Sequence, residues 1–251
     1  MEKNTSGLER YDRQMRIHGW SDKIQEQVAE TRVTVVGAGG LGSPLLLYLT
    51  SAGIGNIHII DGDTVSLTDL NRQLLYNPED IGEAKAATAA ERLARFNPRI
   101  NITSTTGILS EENIEAIIPP TDILVDCLDN FAGRFLLNSY AVARKLPFIH
   151  AGIGGFNGEL TTIIPGETPC LECLYSGMQD KRDEAGNKIK KPVVGAAAGV
   201  LGSLEAIEVM KLTTGLGEPH TNRLLVFEGL LGNFQEIEIQ RNKNCTVCGA
   251  L

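Results

Sequence analysis

"RVTVVGAGGLGSP", Arg32 to Pro44, reads as three consecutive pieces. Arg32–Gly37 is a run that is apolar on both faces and rich in β-branched side chains, as a strand inside a buried parallel sheet requires. Gly37, Gly39 and Gly42 then satisfy G-x-G-x-x-G, and a helix is expected from Gly40 to Ser51. Glycines at such a turn let backbone N–H groups approach a phosphate, and the helix N-terminus adds partial positive charge. Asp61 ends the next apolar run, 19 residues after Gly42, where an acid can accept from ribose hydroxyls. Taken alone, this is the fingerprint of a dinucleotide site, and it points to an NAD(P)-dependent oxidoreductase.

The surrounding pattern extends the same grammar. Strands are expected at Arg32–Gly37, Asn56–Asp61, Ile100–Thr105, Ile123–Leu128 and Pro147–Ala151. Helices are expected between them at Gly40–Ser51, Glu83–Phe96, Glu111–Ile117 and Phe131–Arg144, with an amphipathic helix ahead of them at Asp22–Glu30. This alternation specifies an α/β, Rossmann-like doubly wound sheet that is mostly parallel. After Gly152 the rhythm changes to short antiparallel strands, "GELTTIIPG", "RLLVFEGL" and "FQEIEIQ". A helix rich in small residues is expected over Gly195–Leu212, and "SGMQDKRDEAGNKIKKP" reads as an exposed, mobile loop. One domain spanning 1–251 is expected: a helical segment 1–31, a nucleotide-binding half 32–152 and an elaborated half 153–251.

Bulk properties narrow the class. The net charge of −8 argues against a nucleic-acid surface, and no apolar run reaches the roughly 20 residues of a membrane span. The polar N-terminus is no signal peptide, so a cytoplasmic protein is expected.

Residues beyond Asp61 favour a nucleoside triphosphate over NAD. Arg72 and Lys85 follow the ribose acid closely. A triphosphate carries about four negative charges, and its chemistry calls for cations and magnesium. "LVDCLDN" places Asp126 and Asp129 at the carboxyl end of a central strand, where side chains open into the ligand crevice. A carboxylate there suits magnesium, which takes oxygen ligands. Each residue also has a plainer reading: Arg72 and Lys85 as surface charges, Asp129 as a helix N-cap.

Four of the five cysteines form two C-x-x-C knuckles, Cys170/Cys173 and Cys245/Cys248, with 71 residues between them. Two thiolates from each knuckle suit a closed, structural zinc site. Cys127, inside an apolar strand, is read as a small buried hydrophobe.

The ordered set "RYDRQ", "VVGAGGLGS", "LNRQ", "GEAKA", "DCLDN" and the paired knuckles resembles the ThiF/MoeB/HesA family, relatives of the ubiquitin-activating enzymes, over nearly the whole chain. The likeness is greatest to MoeB-type members. It implies ATP-dependent adenylation of the C-terminal glycine of a small ubiquitin-like, β-grasp sulfur carrier ending in Gly-Gly. By the matching motifs, Gly37, Gly39, Gly40 and Gly42 would line the nucleotide and Asp61 would hold the ribose. Arg72 and Lys85 would bind phosphates, with Asp69, Asn71 and Asn130 beside them, and Asp129 would ligate magnesium. Arg13 matches an arginine supplied across a homodimer interface to the partner's ATP. The family pattern has Asn where this chain has Asp69, an added negative charge near a triphosphate. No cysteine lies between Cys173 and Cys245, so a covalent sulfur relay is not expected, and sulfur would come from a separate donor protein. Alternatives remain: an oxidoreductase, ATP-dependent activation of a peptide or tRNA substrate, and a scaffold that binds a ubiquitin-like partner.

Overall fold

The computed structural model describes residues 7–184, 186, 189 and 191–251. Among these, eight strands form one sheet: β1 (Arg32–Val36), β2 (Asn56–Asp61), β3 (Asn101–Thr106), β4 (Ile123–Asp126), β5 (Phe148–Gly154), β6 (Asn157–Ile163), β7 (Arg223–Glu228) and β8 (Asn233–Glu238). Their spatial order is β3-β2-β1-β4-β5-β6-β7-β8. The first five are parallel and the last three run antiparallel. The mixed sheet therefore has both parts expected from the sequence.

Two-residue alternation sends side chains of the central strands into two separate cores. Val33, Val35, Ile57, Ile59 and Val125 enter one. Val36, Ile60 and Leu124 enter the other. The first core is covered by α3 (Gly42–Ala52), α4 (Lys85–Phe96) and α8 (Gly195–Thr214) through residues such as Leu45, Leu93 and Leu201. The second is covered by α5 (Ile114–Ile117), α6 (Phe131–Arg144) and α7 (Leu171–Tyr175). Two further helices precede the sheet, α1 (Asp12–Met15) and α2 (Asp22–Glu30). Among the described residues no helix is long and apolar enough to cross a membrane.

Local chemistry sets the ends of these elements. Ser21 caps α2 by accepting from the Ile24 N–H, and Gly53 and Gly215 end α3 and α8 in left-handed conformations. The helix expected over Glu111–Ile117 shrinks to one turn. Asn113 accepts from the Ser110 N–H and donates to the Ile108 carbonyl, an alternative bonding pattern to a helix. β4 stops at Asp126 because the Asp126 carboxylate accepts from the Leu128 N–H at 3.0 Å, turning the chain.

The antiparallel half is tied to α8 by a buried carboxylate. Glu208 accepts from the Thr162 hydroxyl of β6 at 2.6 Å, from Lys211 at 2.6 Å and from the His220 N–H at 2.8 Å. Burial pushes its pKa up, but these donors outweigh burial and hold it below the ordinary carboxylate value. A depressed folded-state pKa stabilises the fold above the unfolded value, and that gain is lost as pH falls through the folded value. Glu208→Gln is expected to cost about 2 kcal/mol at pH 7. In urea unfolding at a series of pH values, the gap from wild type should close as pH falls below about 4.

Candidate functional site

A cavity of about 960 Å³ opens at the carboxyl ends of the parallel strands β1 to β4. Its floor is the glycine turn. Gly37 has φ +102°, a conformation that side chains oppose, and its N–H donates to the Ile60 carbonyl at 2.8 Å. Asp61, at the end of β2, accepts from the Ala38 N–H at 2.7 Å and from the Asp63 N–H at 2.8 Å. Burial pushes the Asp61 pKa up, opposed by those two N–H donors. The Tyr76 hydroxyl donates to the Ala38 carbonyl at 2.8 Å and closes the other side of the turn.

The sequence-predicted residues divide by location. Gly37, Gly39, Gly40, Asp61, Asp69, Arg72, Lys85, Asp129 and Asn130 all line the cavity. Gly42 does not; a Cβ there would sit 2.1 Å from the Gly37 carbonyl oxygen, so its glycine lets the helix start pack under the turn. Asn71 is exposed, lies outside the cavity wall, and accepts from Arg72 through Oδ1 at 3.0 Å. Arg13 is exposed on α1, also outside the wall. The N-cap of α6 is Asn130, which accepts from the Gly133 N–H at 2.8 Å, so Asp129 is not the cap.

Asp126 departs from expectation. It is fully buried, with Oδ2 2.6 Å from His150 Nδ1 and 3.5 Å from Arg134 Nε, and it does not reach the cavity. The turn at Leu128 inverts the chain, so only Asp129 of the pair faces the ligand space. Cys127 is buried as expected, but its thiol also lies 3.6 Å from the buried Glu205 carboxylate. Burial, reinforced by the Glu205 charge, pushes that thiol well above its ordinary value and leaves it unreactive.

The structure adds wall residues that sequence reasoning left unassigned. Arg134 holds the strand-end loop through the Leu128 carbonyl at 2.6 Å and the Ala151 carbonyl at 3.0 Å. It sits one helical turn after Asn130, a spacing that could have flagged it. Gln73, the residue after Arg72 in "NRQ", donates to Asp69 at 3.0 Å. Part of the loop expected over residues 176–192 lies outside the described residues. Of those described, Asp180 accepts from the Phe131 N–H at 3.1 Å, and Lys191 Nζ lies 5.2 Å from the Phe131 ring centre. Asp180 and Lys191 thus lie against the start of α6.

The four knuckle cysteines meet as a cluster whose sulfurs all lie within 4.8 Å of one another. Cys170 and Cys245 are 3.7 Å apart, and Cys173 and Cys248 are 3.5 Å apart. A tetrahedral ion with metal–sulfur bonds of about 2.3 Å holds its sulfurs about 3.8 Å apart, so the donor set is compatible with zinc. Against the upward push of burial, donors on Cys173 and Arg241 bring the Cys248 thiol down to about 7. The cluster joins the foot of α7 to the C-terminal segment, and α7 itself is anchored by the Leu171 N–H donating to Asn138 of α6 at 3.0 Å.

A family profile described as the ThiF family matches residues 11–247. The chain is 37% identical to a sulfur carrier protein adenylyltransferase of Thermus thermophilus, over 96% of this chain and 91% of that protein. It is 36% identical to the molybdopterin-synthase adenylyltransferase of Escherichia coli, over 96% of each. A crystal structure of Escherichia coli MccB with ATP has the same fold, with a TM-score of 0.84 at 25% identity over 96% of this chain and 74% of that one.

The two glycine environments predict different costs. Gly42→Ala places a methyl against backbone and should destabilise by about 3 kcal/mol or more in urea unfolding. Gly82→Ala, where φ is +96° but nothing lies within 4 Å, should cost only about 1 kcal/mol.

Proposed function

The chain belongs to the ThiF family, and we propose that it uses ATP to adenylate the C-terminal glycine carboxylate of a small ubiquitin-like sulfur-carrier protein, releasing pyrophosphate. The observation that carries this reading is that the Gly39–Gly40 backbone, Asp61, Arg72, Lys85 and Asp129 converge on one cavity. An oxidoreductase would use the turn and Asp61 but would leave the two cations and Asp129 without a task.

In the reaction, a carrier carboxylate oxygen bonds to the α-phosphorus of ATP as the α–β bridging bond breaks. The attacking carboxylate is already ionised, so no general base is needed. The chain's contribution is alignment and neutralisation of developing charge. Asp61 accepts from the ribose, the glycine turn offers N–H groups to phosphate, and Arg72 and Lys85 draw charge toward the leaving pyrophosphate. Asp129 would hold magnesium, whose chemistry is to neutralise phosphate oxygens. The carrier's tail would enter past Asp180 and Lys191, which lie against the start of α6. A separate protein would then deliver sulfur in the cytosol.

Two finer readings complete the proposal. α8 carries the partly buried Val200 and Leu204 and, at helical spacing from them, the half-exposed Ile207. These apolar side chains at helical spacing support a homodimer covering this face, with Arg13 reaching the partner's cavity. The cysteine cluster would hold a structural zinc ion, four thiolates leaving no open position.

Pyrophosphate exchange with carriers ending in Gly-Gly tests the activity. Asp129→Ala should reduce exchange at least about 100-fold. Arg13→Ala should be inactive alone, yet mixing it with Asp129→Ala should restore about a quarter of wild-type exchange through heterodimers with one intact site. No exchange with any carrier would refute the substrate. For zinc, the purified protein should hold about one ion per chain by metal analysis, and Cys245→Ser should lose it and lower the unfolding midpoint.

A further inference from the structure

The two phosphate-facing cations are already engaged by carboxylates. Asp69 stands between them, with Oδ1 3.3 Å from Arg72 Nη2 and Oδ2 3.4 Å from Lys85 Nζ. Asp63 approaches Lys85 from the other side at 3.3 Å. The Lys85 side chain is 6% exposed and that of Asp69 10%, whereas Asp63 is 71% exposed. An ammonium held so far from water requires a counter-charge, and Asp69 is the buried one.

Asp69 has no capacity left for a direct ligand. Besides the two cations, its oxygens accept from the Ser66 N–H at 3.0 Å, the Ser66 hydroxyl at 2.9 Å and Gln73 Nε2 at 3.0 Å. Five donors thus converge on about four lone-pair positions. Burial works against its ionised form, but the Ser66 hydrogen bonds and the Lys85 charge outweigh that and hold its pKa below the ordinary carboxylate value. It is therefore a fixed anion in the cavity wall, occupied by protein donors.

We propose that Asp69 is a built-in substitute for the nucleotide's outer phosphates. It holds Arg72 and Lys85 in position when the cavity is empty, competes with polyphosphate for them, and so weakens polyphosphate binding and hastens pyrophosphate departure. Asp69 is thus a positioning residue that acts through two cations. The charges on the wall support the direction of the effect. Four cations line it, Arg72, Lys85, Arg134 and Lys191, against six carboxylates, Asp61, Asp63, Asp69, Glu111, Glu112 and Asp129. Removing one of those anions makes the wall more attractive to a polyanion. The effect should fall on the outer phosphates, because the glycine turn and Asp61 serve the inner part of the nucleotide. This inference rests on the ATP reading above.

The test is calorimetric titration of the full chain, wild type and Asp69→Asn, at fixed ionic strength with inorganic pyrophosphate, magnesium ATP and AMP. The amide keeps an acceptor for the Ser66 N–H while losing the charge. Asp69→Asn should bind pyrophosphate and ATP about five- to tenfold more tightly, the scale of one screened charge interaction, with AMP unchanged within about twofold. In exchange assays it should lower KM for ATP and lower kcat. Equal or weaker pyrophosphate binding, or equal changes for all three ligands, would overturn the proposal. If Asp69→Asn does not fold, Asp63→Asn decides in its place: exposed Asp63 is the other partner of Lys85, and its loss should tighten pyrophosphate about two- to threefold. ATP binding that is equal in wild type and variant refutes only this inference. No ATP binding by either protein refutes the ATP reading and the inference with it.

Discussion

The hydrogen bond from the Ala38 N–H to the Asp61 carboxylate, 2.7 Å long, fixes the rest of the site. It joins the glycine turn after β1 to the end of β2, and Asp61 takes a second N–H from Asp63. One side chain thereby ties the glycine turn and the end of β2 into a single piece of the cavity wall. Because these groups are ordered before any ligand arrives, the orientation cost of binding is largely met in folding. Burial of Asp61 is the cost this arrangement carries, and glycine at position 37 lets the turn take its positive φ without strain.

Electrostatics shape the remainder of the cavity. In a chain of net charge −8, a polyanion site must be built locally rather than from the overall field. Three of the wall's cations stand against carboxylates: Arg72 and Lys85 against Asp69, and Arg134 against Asp126. Pairing keeps buried charges stable in the empty cavity and sets their positions. It also means that affinity depends on how readily each pair exchanges partners.

Patterns tied to backbone geometry were legible in the sequence. The apolar run of β1, the glycine turn, Asp61 and the alternation of strand and helix all follow from local periodicity and spacing. The knuckle spacing likewise announced the cysteine cluster across 71 intervening residues. What escaped was direction. Asp126 and Asp129 are equivalent as letters, yet a side-chain turn at Leu128 buries one beside His150 and presents the other. Asn71 and Arg72 are neighbours, but only Arg72 enters the cavity wall. Asp69 looked unfavourable because its five donors come from residues whose convergence is tertiary or lies in a short 3₁₀ turn. The contacts of Asp180 and Lys191 join loop to helix across about 50 to 60 residues and leave no local signature.

The ladder between β5 and β6 pairs seven residues without interruption, from Phe148↔Ile163 to Gly154↔Asn157. It is also the place where strand direction reverses and where the parallel half bearing the glycine turn meets the antiparallel half. Two lobes welded through a continuous ladder cannot swing like a clamshell. The ladder therefore makes the sheet one stiff anvil beneath the cavity, so that the residues at its strand ends keep their spacing.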